Sequence, residues 1–154
     1  MFSFPNPVNE KAARVVAGVV MVVALVTLAT SAYWLLIPLA YGFWARALTG
    51  PTLSPLGRFA TTVAAPRLGA PKYVAGPPKR FAQGMGAAIT TAALALWLAG
   101  AATATDVLLA ALVVAAGLES MLALCLGCQI FGLLMRAGLV PESVCLECLN
   151  LHGR

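Results

Sequence analysis

The chain has 154 residues, 61% of them hydrophobic and only 10% charged, against roughly 45–50% and roughly 25% in soluble domains. This excludes an ordinary soluble domain and points to one integral membrane domain. The formal charge of +5 does not indicate nucleic-acid binding, because the cations fall in loops between apolar runs, as membrane topology signals do.

Residues 1–9 carry no basic n-region and no small-residue cleavage site, so a retained N-terminus is expected. Asn6 and Pro7 are suited to cap and open a first helix. Lys11 and Arg14 lead into an apolar run that predicts a first span over about 12–30. Thr30-Ser31-Ala32 is a short polar break. A second run over 33–48 contains Pro38 and is bracketed by Tyr33 and Trp34 at one end and Tyr41, Phe43 and Trp44 at the other. That bracketing predicts a second span with aromatic belts, paired with the first as a tight hairpin.

The stretch 50–80 is a basic connection with prolines at 51, 55, 66, 71, 77 and 78, which exclude a long continuous helix. Within it, 56–68 reads as a surface helix with Phe59 and Val63 toward lipid and Arg58 and Arg67 toward headgroups. Gly76-Pro77-Pro78-Lys79-Arg80 reads as a stiff basic turn. The third span follows over 81–98, with Gly84, Gly86, Ala87, Ala88 and Ala92 as a small-residue packing face. A fourth helix, capped by Thr105 or Asp106, is predicted to span 107–130 and continue unbroken toward Ala137. Gly138 ends it, and Pro141 opens a short terminal helix in the cysteine-bearing tail, 138–154. The predicted fold class is all-α: a four-helix integral membrane bundle with a short cytoplasmic C-terminal helix.

Four spans place all ten Lys and Arg residues on one side, together with both termini. The positive-inside rule makes that side the cytoplasm, in a multi-pass protein of the plasma (inner) membrane. A three-span alternative, with the Thr30 region a kink, would split the cations across both faces.

The four cysteines form two Cys-x-x-Cys pairs, Cys125/Cys128 and Cys145/Cys148. Their spacing matches a thiolate zinc site, with zinc the cofactor such a site would take. It equally suits thiol exchange, one sulfur attacking and its neighbour resolving, or a persulfide carrier. On an unbroken fourth helix the first pair would share one face, near a helix C-terminus that disfavours thiolate. Packing is the bland alternative, since Cys is a small, readily buried hydrophobe. The expectation is that all four sulfurs gather at the inner leaflet's edge.

Glu119 falls inside the fourth span, where a carboxylate is costly and marks a functional site by default. Ser120, Thr90, Thr91 and Thr27 are its expected partners, with no cation at its depth, so a protonated acid is expected. It either staples helices or takes part in proton-linked transport. His152, the lone histidine, is a tail residue that could replace one thiolate ligand. Gln83 could contact the site. A hydrolase triad and the nucleotide-binding glycine motifs are excluded. Arg58, Lys79 and Arg80 form a basic surface for anionic headgroups or an anionic partner.

Asn6-Pro-Val-Asn-Glu10, the Arg46–Pro55 stretch, Gly76-Pro-Pro-Lys-Arg-Phe-Ala-Gln83, Glu119 with Cys125-Leu-Gly-Cys128, and Cys145-x-x-Cys148 together resemble the small membrane proteins grouped as domain of unknown function 4395. The resemblance covers nearly the whole chain. It implies a thioredoxin-like or sulfurtransferase partner and implies no cofactor. The sequence thus yields a thiol-redox, sulfur-handling or metal-binding module with a soluble partner. The rivals are a transporter of a small sulfur species, which at this size would need a homo-oligomer, and a zinc-clamped accessory subunit.

Overall fold

A computed structural model describes residues 4–145. The chain is all-α apart from one two-residue strand pair. Helix α1 is Glu10–Thr30, α2 Leu36–Thr49, α3 Pro55–Phe59, α4 Ala65–Arg67, α5 Gly76–Leu98, α6 Ala102–Leu122 and α7 Leu126–Arg136; β1 (Val8–Asn9) and β2 (Tyr73–Val74) pair antiparallel. A π-helical turn, Ala60–Ala64, joins α3 to α4. The segment predicted as a surface helix is therefore helical from Pro55 to Arg67, and Phe59 is exposed on it.

Three helices, α1, α5 and α6, are long and apolar enough to cross a membrane. Helix α2 has 14 residues and is extended by a 3-10 turn at Tyr33–Leu35. Large apolar side chains such as Val22, Trp34, Val107 and Met121 point outward, as lipid-facing positions require. The chain reverses at Ser31, whose φ of 54° is left-handed. After it, α2 runs antiparallel to α5: Tyr33 meets Trp97 at one end, and Arg46 meets Gln83 toward the other. The chain therefore turns back here rather than kinking. Helix α1 lies on α6, and α5 lies between α6 and α2.

The packing uses small residues, as helix contacts in lipid must, where close backbone approach replaces the hydrophobic drive. Phe43 of α2 packs against Gly86 of α5, where any Cβ would overlap its ring. The buried face of α5 is Gly86, Ala87, Thr90 and Ala93; Gly84, Ala88 and Ala92, predicted to pack, face outward. Thr27, Thr90 and Thr105 are fully buried. Each donates its hydroxyl to a carbonyl four residues back, at 2.8, 2.8 and 3.0 Å, so none is left unsatisfied.

Three boundaries depart from expectation. Asn9, not Asn6, caps α1, accepting from Lys11 N–H at 3.0 Å; Asn6 instead accepts from Gly76 N–H at 2.9 Å, at the start of α5. Helix α5 begins at Gly76 rather than Phe81, because Pro77 and Pro78 occupy its first turn, where proline lacks no needed donor. The expected stiff turn is thus a helical turn that carries Lys79 into the bundle. Helix α6 starts early, at Ala102, and stops at Leu122; the continuous fourth helix is two helices.

Candidate functional site

The break between α6 and α7 builds the site. Ala123 ends α6 in the left-handed region, at φ 56°. Leu124 N–H then bonds back to Leu118 O at 3.1 Å, the closure usually made around glycine. Cys125 follows in extended conformation as the N-cap of α7, its sulfur accepting from Cys128 N–H at 3.3 Å. The first pair therefore sits at a helix N-terminus, and the expected C-terminal setting is reversed. Partial positive charge at such an end favours thiolate.

The two sulfurs are 2.6 Å apart, with the Cys128 thiol donating to Cys125. Both are free. That hydrogen bond, foremost, pulls the Cys125 thiol below its ordinary value; burial and Glu119 oppose it, and the Lys79 ammonium assists. The same hydrogen bond, followed by burial, pushes Cys128 well up. The pair is thus differentiated into a proton acceptor and a proton donor.

Two contacts hold α7 in place. Gly127, between the cysteines, lies so close to α5 that a Cβ would stand 2.6 Å from Ala82 Cα. Phe131 packs on Phe81 with ring centroids 5.7 Å apart.

Behind the thiols lies an ion pair that the sequence reading missed. Lys79 Nζ donates to Glu119 Oε1 at 2.6 Å, with side-chain exposures of 9% and 14%. Glu119 has a cation at its depth, so the expected neutral acid among hydroxyl partners is replaced by a buried pair. Lys79 is correspondingly not part of the exposed basic surface. Arg58 and Arg80 are exposed as expected, and Arg80 Nε donates to Ala47 O at 2.9 Å, closing the end of α2. A one-turn shift in the start of α5 explains the difference.

A second polar group lies nearby. Arg46 is buried at 6% exposure. It donates to Gln83 Oε1 at 2.8 Å and Ser54 Oγ at 3.3 Å and stacks on the Phe43 ring, 4.8 Å from its centroid. Gln83 is thus bound to Arg46 rather than to the thiols. A cavity of about 300 Å³ opens onto Lys79, Cys125 and Cys128. A second, of about 230 Å³, is lined by Gln83, Glu119 and Cys125.

The second pair is only half described. Cys145 is buried and packs in a cluster with Ala75 and Phe131. It is disulfide-bonded, and its partner is neither Cys125 nor Cys128, which are free. Cys148 and His152 lie outside the described residues. Among the described residues no three His, Cys, Asp or Glu side chains come together in a metal-binding set.

A family model described as a domain of unknown function, DUF4395, matches residues 8–136. The chain belongs to this family. In this DUF4395 chain the matched region takes in Lys79, Glu119, Cys125 and Cys128 and stops short of Cys145. No curated protein and no solved structure matches it.

Proposed function

We propose that this DUF4395 protein is a membrane-anchored dithiol that exchanges electrons with a soluble, thioredoxin-like partner at the cytoplasmic face of the inner membrane. The observation that carries the reading is Cys125 at a helix N-cap, accepting two hydrogen bonds at sulfur, with Cys128 in contact. In the proposed cycle the Cys125 thiolate attacks the partner's disulfide. One partner sulfur leaves as thiolate, and a mixed disulfide forms. Cys128 then gives its proton to solvent at the cavity mouth, and its thiolate attacks Cys125 sulfur. The partner leaves as a dithiol, reduced by two electrons, and Cys125–Cys128 becomes the disulfide. The reverse sequence oxidises the partner.

Lys79 supports the thiolate state through its charge, and Glu119 holds Lys79 there. Pairing with Lys79 favours a fixed electrostatic role for Glu119 over proton-coupled transport. The free first pair and bonded Cys145 favour exchange over a four-sulfur zinc clamp. The cytoplasmic orientation rests on the charge rule. Lys11, Arg14, Arg46, Lys79 and Arg80 all make their contacts at the end of the bundle that holds Cys125, which is consistent with it.

The test is trapping. Cys128→Ser protein, incubated with an oxidised soluble Cys-x-x-Cys protein, should accumulate a mixed disulfide at Cys125, resolved by peptide mass spectrometry. Cys125→Ser should trap far less. Equal trapping by both variants, or none by either, refutes the proposal. Elemental analysis of the same preparation showing one zinc per chain with unreactive thiols would assign the site to metal binding.

A further inference from the structure

The first three turns of α1 border a groove that has no part in the dithiol site. Its volume is about 590 Å³, and it is lined by Lys11, Arg14, Val15, Val19 and Val22 of α1, with Ser120 across from them on α6. Gly18 forms its floor; a Cβ there would stand 3.0 Å from Ser120 Oγ. Two properties change along it. At its mouth are two cations, and beyond them only apolar wall.

Neither cation is neutralised. Lys11 Nζ donates to Leu68 O at 2.9 Å. Arg14 donates through Nε to Ser120 O at 3.0 Å and through Nη2 to Met121 O at 3.3 Å, capping the C-terminal carbonyls of α6. Among the described residues the only ion pairs are Lys72–Glu10 and Lys79–Glu119, so neither Lys11 nor Arg14 faces a carboxylate. The carbonyls fix the two cations in place while leaving their charge uncompensated. Val19 and Val22 are 39% and 53% exposed in the trough below. From Lys11 to Val22 the helix rises about 16 Å. That is about half of a ~30 Å hydrocarbon core, or one leaflet.

We infer that this groove is a binding site for one anionic phospholipid, its phosphate on Lys11 and Arg14 and one acyl chain along Val15, Val19 and Val22. Charge complementarity selects the headgroup, and the leaflet-length apolar wall selects a lipid over a free anion. The site is independent of the thiol reading and holds for either orientation of the chain.

Native mass spectrometry of the full chain in detergent, titrated separately with phosphatidylglycerol and phosphatidylcholine, tests it. A cation near a membrane surface favours an anionic lipid by about fivefold, so the pair should give a preference of about thirtyfold for phosphatidylglycerol. Lys11→Gln should lower that preference about fivefold. Arg136→Gln, an exposed cation on α7, should change nothing. Val19→Trp keeps both charges but fills the trough, and should lower occupancy by either lipid; its position on an exposed face preserves folding, checked by circular dichroism. Equal affinity for the two lipids overturns the site, as does an equal loss with Arg136→Gln, which would indicate diffuse surface charge. Displacement of bound lipid by millimolar inorganic phosphate would make it an anion site and overturn the lipid assignment.

Discussion

The two ends of this bundle are built on different physics. At the end bearing Asp106, polar groups are few and make modest contacts: Tyr33 OH donates to Asp106 at 2.8 Å, and Thr105 closes on carbonyls of Ala101 and Ala93 at 3.0 and 3.3 Å. At the opposite end, α5 and α6 bury a Lys–Glu pair and α2 buries an arginine, all around two free thiols. The quiet end can be explained by helix packing alone. The other end carries desolvated charge that packing does not need and that hydrophobic replacement would often match or improve. The contrast locates function: charges retained against their desolvation cost surround the only free thiols among the described residues.

The largest expected effect tests that contrast directly. Glu119→Ala leaves Lys79 buried without its partner, and breaking one side of a buried pair costs about 3–5 kcal/mol. At the quiet end, Thr105→Val removes an interhelical hydroxyl bond, for which about 0.6 kcal/mol is typical in membrane bundles. Reversible unfolding in mixed micelles should separate the two by several kcal/mol. The paired replacement Lys79→Met with Glu119→Leu should recover most of the stability lost by Glu119→Ala while leaving Cys125 the more reactive of the two thiols. Similar losses for Glu119→Ala and Thr105→Val would mean that the two ends are equivalent.

The same contrast explains what the sequence made legible. The apolar runs, the reversal at Thr30–Ala32 and the stop at Gly138 were readable because composition and turn residues carry them. The break after Leu122 was not, because no glycine, proline or asparagine marks it. An alanine takes the left-handed position at ~1–2 kcal/mol, and a cysteine serves as the cap. Its only local sign was Cys-x-x-Cys itself, in which the first residue can cap the third residue beyond it. The Lys79–Glu119 pair was hidden for a related reason. A proline pair read as a turn is also a good helix start, and that choice moves Lys79 from a loop into the bundle. Arg46 was readable as a cation but not as a buried one, since its partners Gln83 and Ser54 are remote in sequence.

Gly127→Ala comes next in size. The added methyl would press on the α5 backbone at Ala82, and overpacking of this kind costs about 1–3 kcal/mol. Because Gly127 lies between the thiols, the strain should fall on α7 and leave the quiet end intact. Hydrogen exchange should speed in α7 and remain unchanged around Thr27 and Thr105. Uniform loss of protection would mean that α7 is part of one cooperative core rather than a separately seated element.

The smallest effect is the most informative about chemistry. The Cys125 thiol is held below its ordinary value chiefly by the hydrogen bond from Cys128, and Cys128 is held above. Only the thiolate reacts with an alkylating agent. At pH 7, Cys125 should therefore be the labelled residue despite being the more buried of the two. Its rate should rise with pH, with a midpoint below that of a free thiol. Cys128→Ser exchanges the thiol donor for a hydroxyl and should move the midpoint only slightly; Cys128→Ala removes the donor and should raise it. Lys79→Met with Glu119→Leu removes a cation that lowers the Cys125 value and a carboxylate that raises it, so its shift should be smaller than that of Cys128→Ala. If Cys128 is instead alkylated first, with Cys125 silent up to pH 9, exposure rather than charge governs this pair. The direction of attack in the exchange cycle would then run from Cys128.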